Sequence, residues 1–190
     1  MEYSIILFPL VGSIVSGLFG KKLGARFCQL LTSLFISISA IFSLYIFYKV
    51  FFHNYTSNKL IFNWISSGNF NVNWSIYIDQ LTAVMLVVVS LISSIIHFYS
   101  IGYMSHDPHK QRFMSYLSLF TFSMLVLVTA DNFLQLFFGW EGVGLCSYLL
   151  IGFWYKKENA NNAAIKAFVV NRIGDFGLAV GIFLIFFFFG

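Results

Sequence analysis

Three ionisable side chains, Glu141, Arg172 and Asp175, sit inside apolar runs long enough to be membrane spans. Burying an ionised group at the centre of a bilayer costs about 2.5–3.5 kcal/mol even on the mildest scales. A chain keeps such a residue when protons or ions use it, or when it binds a partner charge. Glu141 lies nine residues beyond the Asp131-Asn132 turn, about 14 Å along a helix and so near the bilayer midplane. Gly139, Gly142 and Gly144 surround it. Without side chains they permit close helix approach and leave room for water beside the carboxylate. A glutamate that exchanges protons needs such access, together with a nearby cation that shifts its affinity for the proton. Arg172 and Asp175 are three residues apart and share a helix face, so an internal Arg–Asp pair lowers the burial cost of both. The plainer alternatives are a protonated Glu141 hydrogen-bonded into the bundle and a static Arg172–Asp175 pair that locks it. Lys166, near the start of the same run, reads as an interface anchor whose stem snorkels to the surface.

Side chains of this kind must be positioned by membrane helices, and the composition demands such helices. The chain is 59% hydrophobic and 9% charged, against about 25% charged residues in soluble domains. Six apolar segments approach the ~20 residues needed to cross a hydrocarbon core: 3–20, 27–52, 79–101, 113–130, 132–154 and 163–189. The expected fold class is an all-α integral membrane protein with six transmembrane helices. The start, Met1-Glu2-Tyr3, has no positive segment and no cleavage site, so the first run reads as a retained span rather than a signal peptide. Between spans two and three, residues 53–78 interleave Asn54, Asn58, Asn63, Asn69, Asn71 and Asn73 with aromatics. Partial alternation on either side of Ser66-Ser67-Gly68 predicts a hairpin or an ordered loop at the membrane surface.

Eight of the eleven Lys and Arg residues fall in alternate loops: Lys21, Lys22, Arg26, Lys110, Arg112, Lys156, Lys157 and Lys166. By the positive-inside rule the N-terminus and the 53–78 loop face the outer compartment. The net charge of +4 is therefore topological and does not imply nucleic-acid binding. Cys28 and Cys146 lie in separate spans and read as packing residues. His97 is a packing histidine or a proton relay, with packing favoured. His106-Asp107-Pro108-His109 lacks the further ligands that a metal site needs. Asn54-Tyr55-Thr56 fits a glycosylation sequon, which matters only in a secretory compartment. Ser13/Gly17 and Gly177/Gly181 have the spacing of close helix contacts. No glycine fingerprint, P-loop, CxxC or haem motif is present, so no cofactor is expected on this chain.

Five blocks carry a resemblance: Tyr77-Ile78-Asp79-Gln80-Leu81-Thr82, His97-Phe98-Tyr99-Ser100-Ile101-Gly102-Tyr103-Met104, Asp131-Asn132-Phe133-Leu134-Gln135-Leu136, Gly139-Trp140-Glu141-Gly142-Val143-Gly144 and Asn171-Arg172-Ile173-Gly174-Asp175. In this order the chain resembles the NADH dehydrogenase subunit 5 family, called NuoL in bacteria, a proton-pumping membrane subunit of respiratory complex I. The resemblance implies that Glu141 is the fifth-helix glutamate of the family's proton path, and that Asp175 and Arg172 are the acid and arginine beside it. In the family that glutamate faces a lysine on the seventh helix, a segment beyond Gly190, so Glu141 is expected to lack its partner here. The implied organisation is two helices over 1–52, a subunit-5-type region over 53–112, and the start of an incomplete antiporter-like domain over 113–190.

The resemblance further implies that NADH, FMN, iron–sulfur clusters and quinone belong to other subunits. The expected partners are the bilayer, neighbouring antiporter-like subunits and other membrane subunits of complex I, and the C-terminal part of the subunit. The implied location is the bacterial plasma membrane or the mitochondrial inner membrane. Because the family's subunit is much longer, a fragment or truncation is expected ahead of a functional split. Two other functions compete. One is the large subunit of a Mrp-type sodium/proton antiporter, against which the glycine-rich Gly142-Val143-Gly144 speaks. The other is a membrane fragment that does not transport.

Overall fold

Helix formation in this chain follows from the absence of water in hydrocarbon, where a helix satisfies its backbone groups internally. A computed structural model describes residues 1–68 and 70–189; Asn69, one of the loop asparagines, and Gly190 lie outside the described residues. The helices are α1 (Glu2–Leu18), α2 (Gly20–Leu23), α3 (Ala25–His53), α4 (Gln80–Tyr103), α5 (Lys110–Val128), α6 (Phe133–Ile151) and α7 (Glu158–Phe189). Strands β1 (Ser57–Ser67) and β2 (Phe70–Ile78) form an antiparallel hairpin between α3 and α4.

Five helices, α3 to α7, are long and apolar enough to cross a membrane. The first expected span is shorter than the sequence reading has it. The 17 residues of α1 reach about 26 Å, just under the ~30 Å hydrocarbon core. The chain breaks at Phe19 and again at Gly24, whose φ of 86° suits glycine. The sixth span is longer than expected, because Glu158 to Asn162 are already helical and Asn161 Nδ2 donates to the Tyr155 carbonyl at 2.6 Å.

The hairpin is longer than its alternating pattern suggests. Its pairing runs from Ser57–Ile78 to Ser67–Phe70, with shifts at Ile61 and Trp64. Each shift inserts one extra residue into β1 and reverses the inward face, which is why alternation looked only partial. The edge of β2 is closed by the α5–α6 turn. Gln135, fully buried, donates from Nε2 to the Ser75 carbonyl at 2.8 Å and accepts from the Ser75 amide at 3.2 Å. A single side-chain amide thus stands in for a neighbouring strand. Asp131 accepts from Ser75 Oγ and Asn58 Nδ2, and Asn132 both caps α6 and donates to the Asn73 carbonyl. At the same end, Glu2 accepts from Tyr55 and Ser57 and pairs with Lys59 at 3.2 Å. The hydrogen bond from Lys59 to the Glu2 carboxylate holds the ammonium above its ordinary pKa.

Helix α5 is central, packed against α1, α3, α4 and α6, while α7 rests chiefly on α6. The α5–α6 contact depends on glycine. A Cβ on Gly139 would lie 2.7 Å from backbone atoms of Leu127, and one on Gly142 would lie 2.8 Å from Ser123 Oγ. Ser13 and Gly17 meet Ser115 in the same way at the α1–α5 contact. Gly177 and Gly181 do not: neither has a neighbour within 4 Å among the described residues, because α7 turns that face outward.

These glycine contacts make a testable distinction. Gly139→Ala must push two backbones apart, and is expected to destabilise the folded chain by about 1–3 kcal/mol. Gly144→Ala meets only Asn171 at 3.9 Å, and is expected to be neutral or slightly stabilising through helix propensity. Thermal unfolding of the two variants in the same detergent checks the ranking.

Candidate functional site

The antiparallel α6 and α7 bring the three ionisable residues into one cluster. Arg172 Nη1 donates to both oxygens of Glu141, at 2.6 and 2.7 Å, and lies 3.7 Å from Asp175 Oδ2. One guanidinium therefore bridges two carboxylates on two helices. The sequence pattern pairs Arg172 with Asp175 along its own helix and leaves Glu141 unpartnered. The structure reverses that emphasis, because the α6–α7 crossing puts Glu141 closer to the guanidinium than the i,i+3 acid is.

Asp175 has a second partner, which the sequence reading missed. Trp140 Nε1 donates to Asp175 Oδ1 at 2.8 Å. A signal was available: an indole N–H inside an apolar span must find an acceptor, and Trp140 precedes Glu141. Exposure is graded across the cluster, at 7% for the Asp175 side chain, 25% for Glu141 and 51% for Arg172. Within the described residues Asp175 is thus more enclosed than Glu141. Arg172 also stacks over Phe168, 4.8 Å from the ring centre, and Phe168 packs on Tyr148 at 5.3 Å.

Tyr148 connects the cluster to an opening at the basic end of the bundle. There a cavity of about 370 Å³ is lined by Arg112, Tyr116, Tyr148, Tyr155 and Asn161. Tyr148 is two helical turns, about 10 Å, from Glu141. Leu149, Phe153, Ala164 and Ile165 also line the cavity. Lys166, six residues before Arg172, is exposed and stands apart from the cluster. His97 is fully buried on α4, with Nδ1 donating to the Ser93 carbonyl at 2.7 Å and Nε2 facing Ser118 Oγ at 3.2 Å. A carbonyl only accepts, so the bond to Ser93 places a proton on Nδ1. Both cysteines are free and buried.

The arrangement sets two carboxylates around one guanidinium, a group that keeps its own proton. Removing the indole donor by Trp140→Phe is expected to weaken the docking of α7 on α6 by about 1.5–3 kcal/mol, the scale of a hydrogen bond to a charged group. Thermal unfolding read beside Phe168→Leu, which leaves both carboxylate contacts in place, checks whether the indole bond carries the loss.

The family described as NADH-Ubiquinone oxidoreductase (complex I), chain 5 N-terminus, matches residues 64–114, and that described as NADH:quinone oxidoreductase/Mrp antiporter, TM, matches residues 130–190. The chain is 55% identical over 181 residues to NADH-quinone oxidoreductase subunit L of Rickettsia felis, covering 95% of this chain and 28% of that protein. It is 56% identical over 183 residues to NADH-ubiquinone oxidoreductase chain 5 of Triticum aestivum, covering 96% of this chain and 27% of the relative. This chain thus spans little more than a quarter of the length of these relatives. A chain of the membrane-bound sulfane sulfur reductase, an archaeal respiratory membrane complex, shares the fold with a TM-score of 0.78 at 18% identity, covering 98% of this chain and 37% of that one. The Glu141–Arg172–Asp175 cluster falls inside the second matched segment, and more than half of the residues are shared with these relatives along nearly the whole sequence. On these grounds the chain is an integral membrane protein that belongs to the family of NADH-quinone oxidoreductase subunit L and NADH-ubiquinone oxidoreductase chain 5.

Proposed function

We propose that this chain forms the N-terminal part of a proton-translocating membrane subunit of NADH:quinone oxidoreductase. Electron transfer from NADH to quinone takes place in other subunits, which hold the NADH, FMN, iron–sulfur and quinone sites. The observation that carries the reading is the Arg172 bridge between Glu141 and Asp175 in the middle of a helix pair. When Glu141 takes a proton, its hold on Arg172 weakens and the guanidinium's charge is left to Asp175, 3.7 Å away. When the proton leaves, the shorter pair with Glu141 re-forms. A shift in that balance, imposed by helices outside these residues, changes the proton occupancy of Glu141. Full translocation requires the remaining length of the subunit, including a further cation for Glu141, and the neighbouring antiporter-like subunits.

In this reading the hairpin end of the bundle faces the outer compartment and the basic loops face the inside. The membrane is the plasma membrane of a bacterium or the inner membrane of a mitochondrion. A Mrp-type sodium/proton antiporter is the second reading, because the family matched at residues 130–190 is described for both complexes. The chain-5 match over 64–114 favours the first. The two separate cleanly: inhibitors of the quinone site stop transport in the first case, whereas sodium efflux without NADH oxidation marks the second.

Glu141→Gln keeps the side chain's shape and removes the titrating proton. In the assembled complex it is expected to leave NADH oxidation measurable while the number of protons moved per electron falls. Asp175→Asn is expected to do less, since Glu141 still holds Arg172. Proton uptake by inverted vesicles, normalised to NADH oxidised and to assembled complex, is the test. An unchanged ratio in Glu141→Gln would remove the role assigned to it and favour a fragment that does not transport.

A further inference from the structure

At the basic end of the bundle, away from the carboxylate cluster, Arg112 begins helix α5 beneath the α6–α7 loop. Its Nη2 donates to the Phe153 carbonyl at 3.0 Å and its guanidinium stacks on Phe153, 4.7 Å from the ring centre. Its Nε is buried and has no hydrogen-bond partner among the described residues. No carboxylate lies within ion-pair distance of Arg112, Lys156 or Lys157 among the described residues. An unused donor on a part-buried guanidinium calls for an acceptor, and a charged oxygen makes the strongest one.

The three cations share a cavity of about 290 Å³, whose lining includes Asp107, His109, Arg112, Trp154, Lys156 and Lys157. The single acid in it is already committed. Asp107 accepts from the His109 amide at 2.7 Å and from Trp154 Nε1 at 2.9 Å. Burial opposes its charge, but these two donors outweigh that and hold the carboxyl below its ordinary value. Three positive charges against one negative leave the cavity cationic. Lys157 lies over the Trp154 ring, 5.1 Å from its centre.

We infer that this cavity binds the anionic headgroup of a phospholipid in the leaflet at the basic end of the bundle. The placement distinguishes a lipid from a soluble anion. The cavity sits at helix ends, where Trp154 and Tyr155 have the amphipathic character of headgroup-level residues. Ile151 is exposed one turn below, giving an acyl chain an apolar track toward the bilayer centre. Clustered Lys and Arg between membrane helices at the membrane surface suit phosphate headgroups, and arginine supplies a forked pair of donors to phosphate oxygens.

The test uses the assembled complex in mild detergent, with a photo-crosslinking phosphatidylglycerol and a matching phosphatidylcholine. In the wild type, phosphatidylglycerol is expected to label peptides covering residues 107–112 or 153–157, well above phosphatidylcholine. The double variant Lys156→Gln with Lys157→Gln alters two exposed side chains and is expected to fold; labelling there should fall about thirtyfold, given the contribution of each surface cation. Arg112→Gln should lower it as much if the variant assembles. Inorganic phosphate at millimolar concentration is expected to leave the labelling intact. The inference is overturned if both lipids label equally or if the double variant labels like the wild type. It is equally overturned if free phosphate displaces the lipid, which marks a soluble-anion site, or if the peptides crosslink to a neighbouring subunit instead, which marks a protein carboxylate as the occupant.

Discussion

Inside hydrocarbon a polar group without an internal partner has no water to fall back on, and the docking of α7 on α6 follows from that constraint. Only Ala164, Asp175 and Ile182 of α7 are buried. Apolar contact comes mainly from part-buried side chains, such as Phe168 on Tyr148 and Phe186 on Phe70. The specific hold comes from Arg172 reaching Glu141 and from Trp140 reaching Asp175. Each acid takes a partner from the other helix, so sliding α7 by one turn would break both of these contacts at once. The same rule explains the many buried hydroxyls of α1, α3, α4 and α5. Ser16, Thr32, Ser43, Ser90 and Thr121 each donate to a carbonyl one turn earlier on their own helix.

The cluster is also graded. Asp175 is enclosed by its indole donor, Glu141 is a quarter exposed, and Arg172 lies outermost with its planar group on Phe168. Close helix approach makes this compact. Gly139 and Gly142 let α6 lie directly against α5, which holds the helix that carries Glu141.

The two ends of the bundle solve different problems. At the hairpin end, acids and amides tie separate elements together: Glu2 reaches β1, Asp131 and the α6 residue Gln135 reach the hairpin, and Asn132 reaches both the hairpin and α6. At the opposite end positive charge exceeds what the chain's own acids can match.

Much of this was legible in the residues. Apolar runs of span length, the basic alternate loops and the buried acid all follow from the cost of placing charge in hydrocarbon, a property of each segment by itself. Pairings between segments were not legible. Periodicity joined Arg172 to Asp175 because i,i+3 is a relation along one helix, whereas the distance from Arg172 to Glu141 depends on how α6 crosses α7. The two extra residues in β1 hid the hairpin's alternation, since a bulge is fixed by the partner strand. Gly177 and Gly181 have the same spacing as Ser13 and Gly17, yet only the latter face a neighbour. Sequence by itself determined which groups need partners; tertiary structure decided which partners they have, because that choice rests on the crossing and register of elements far apart in the chain.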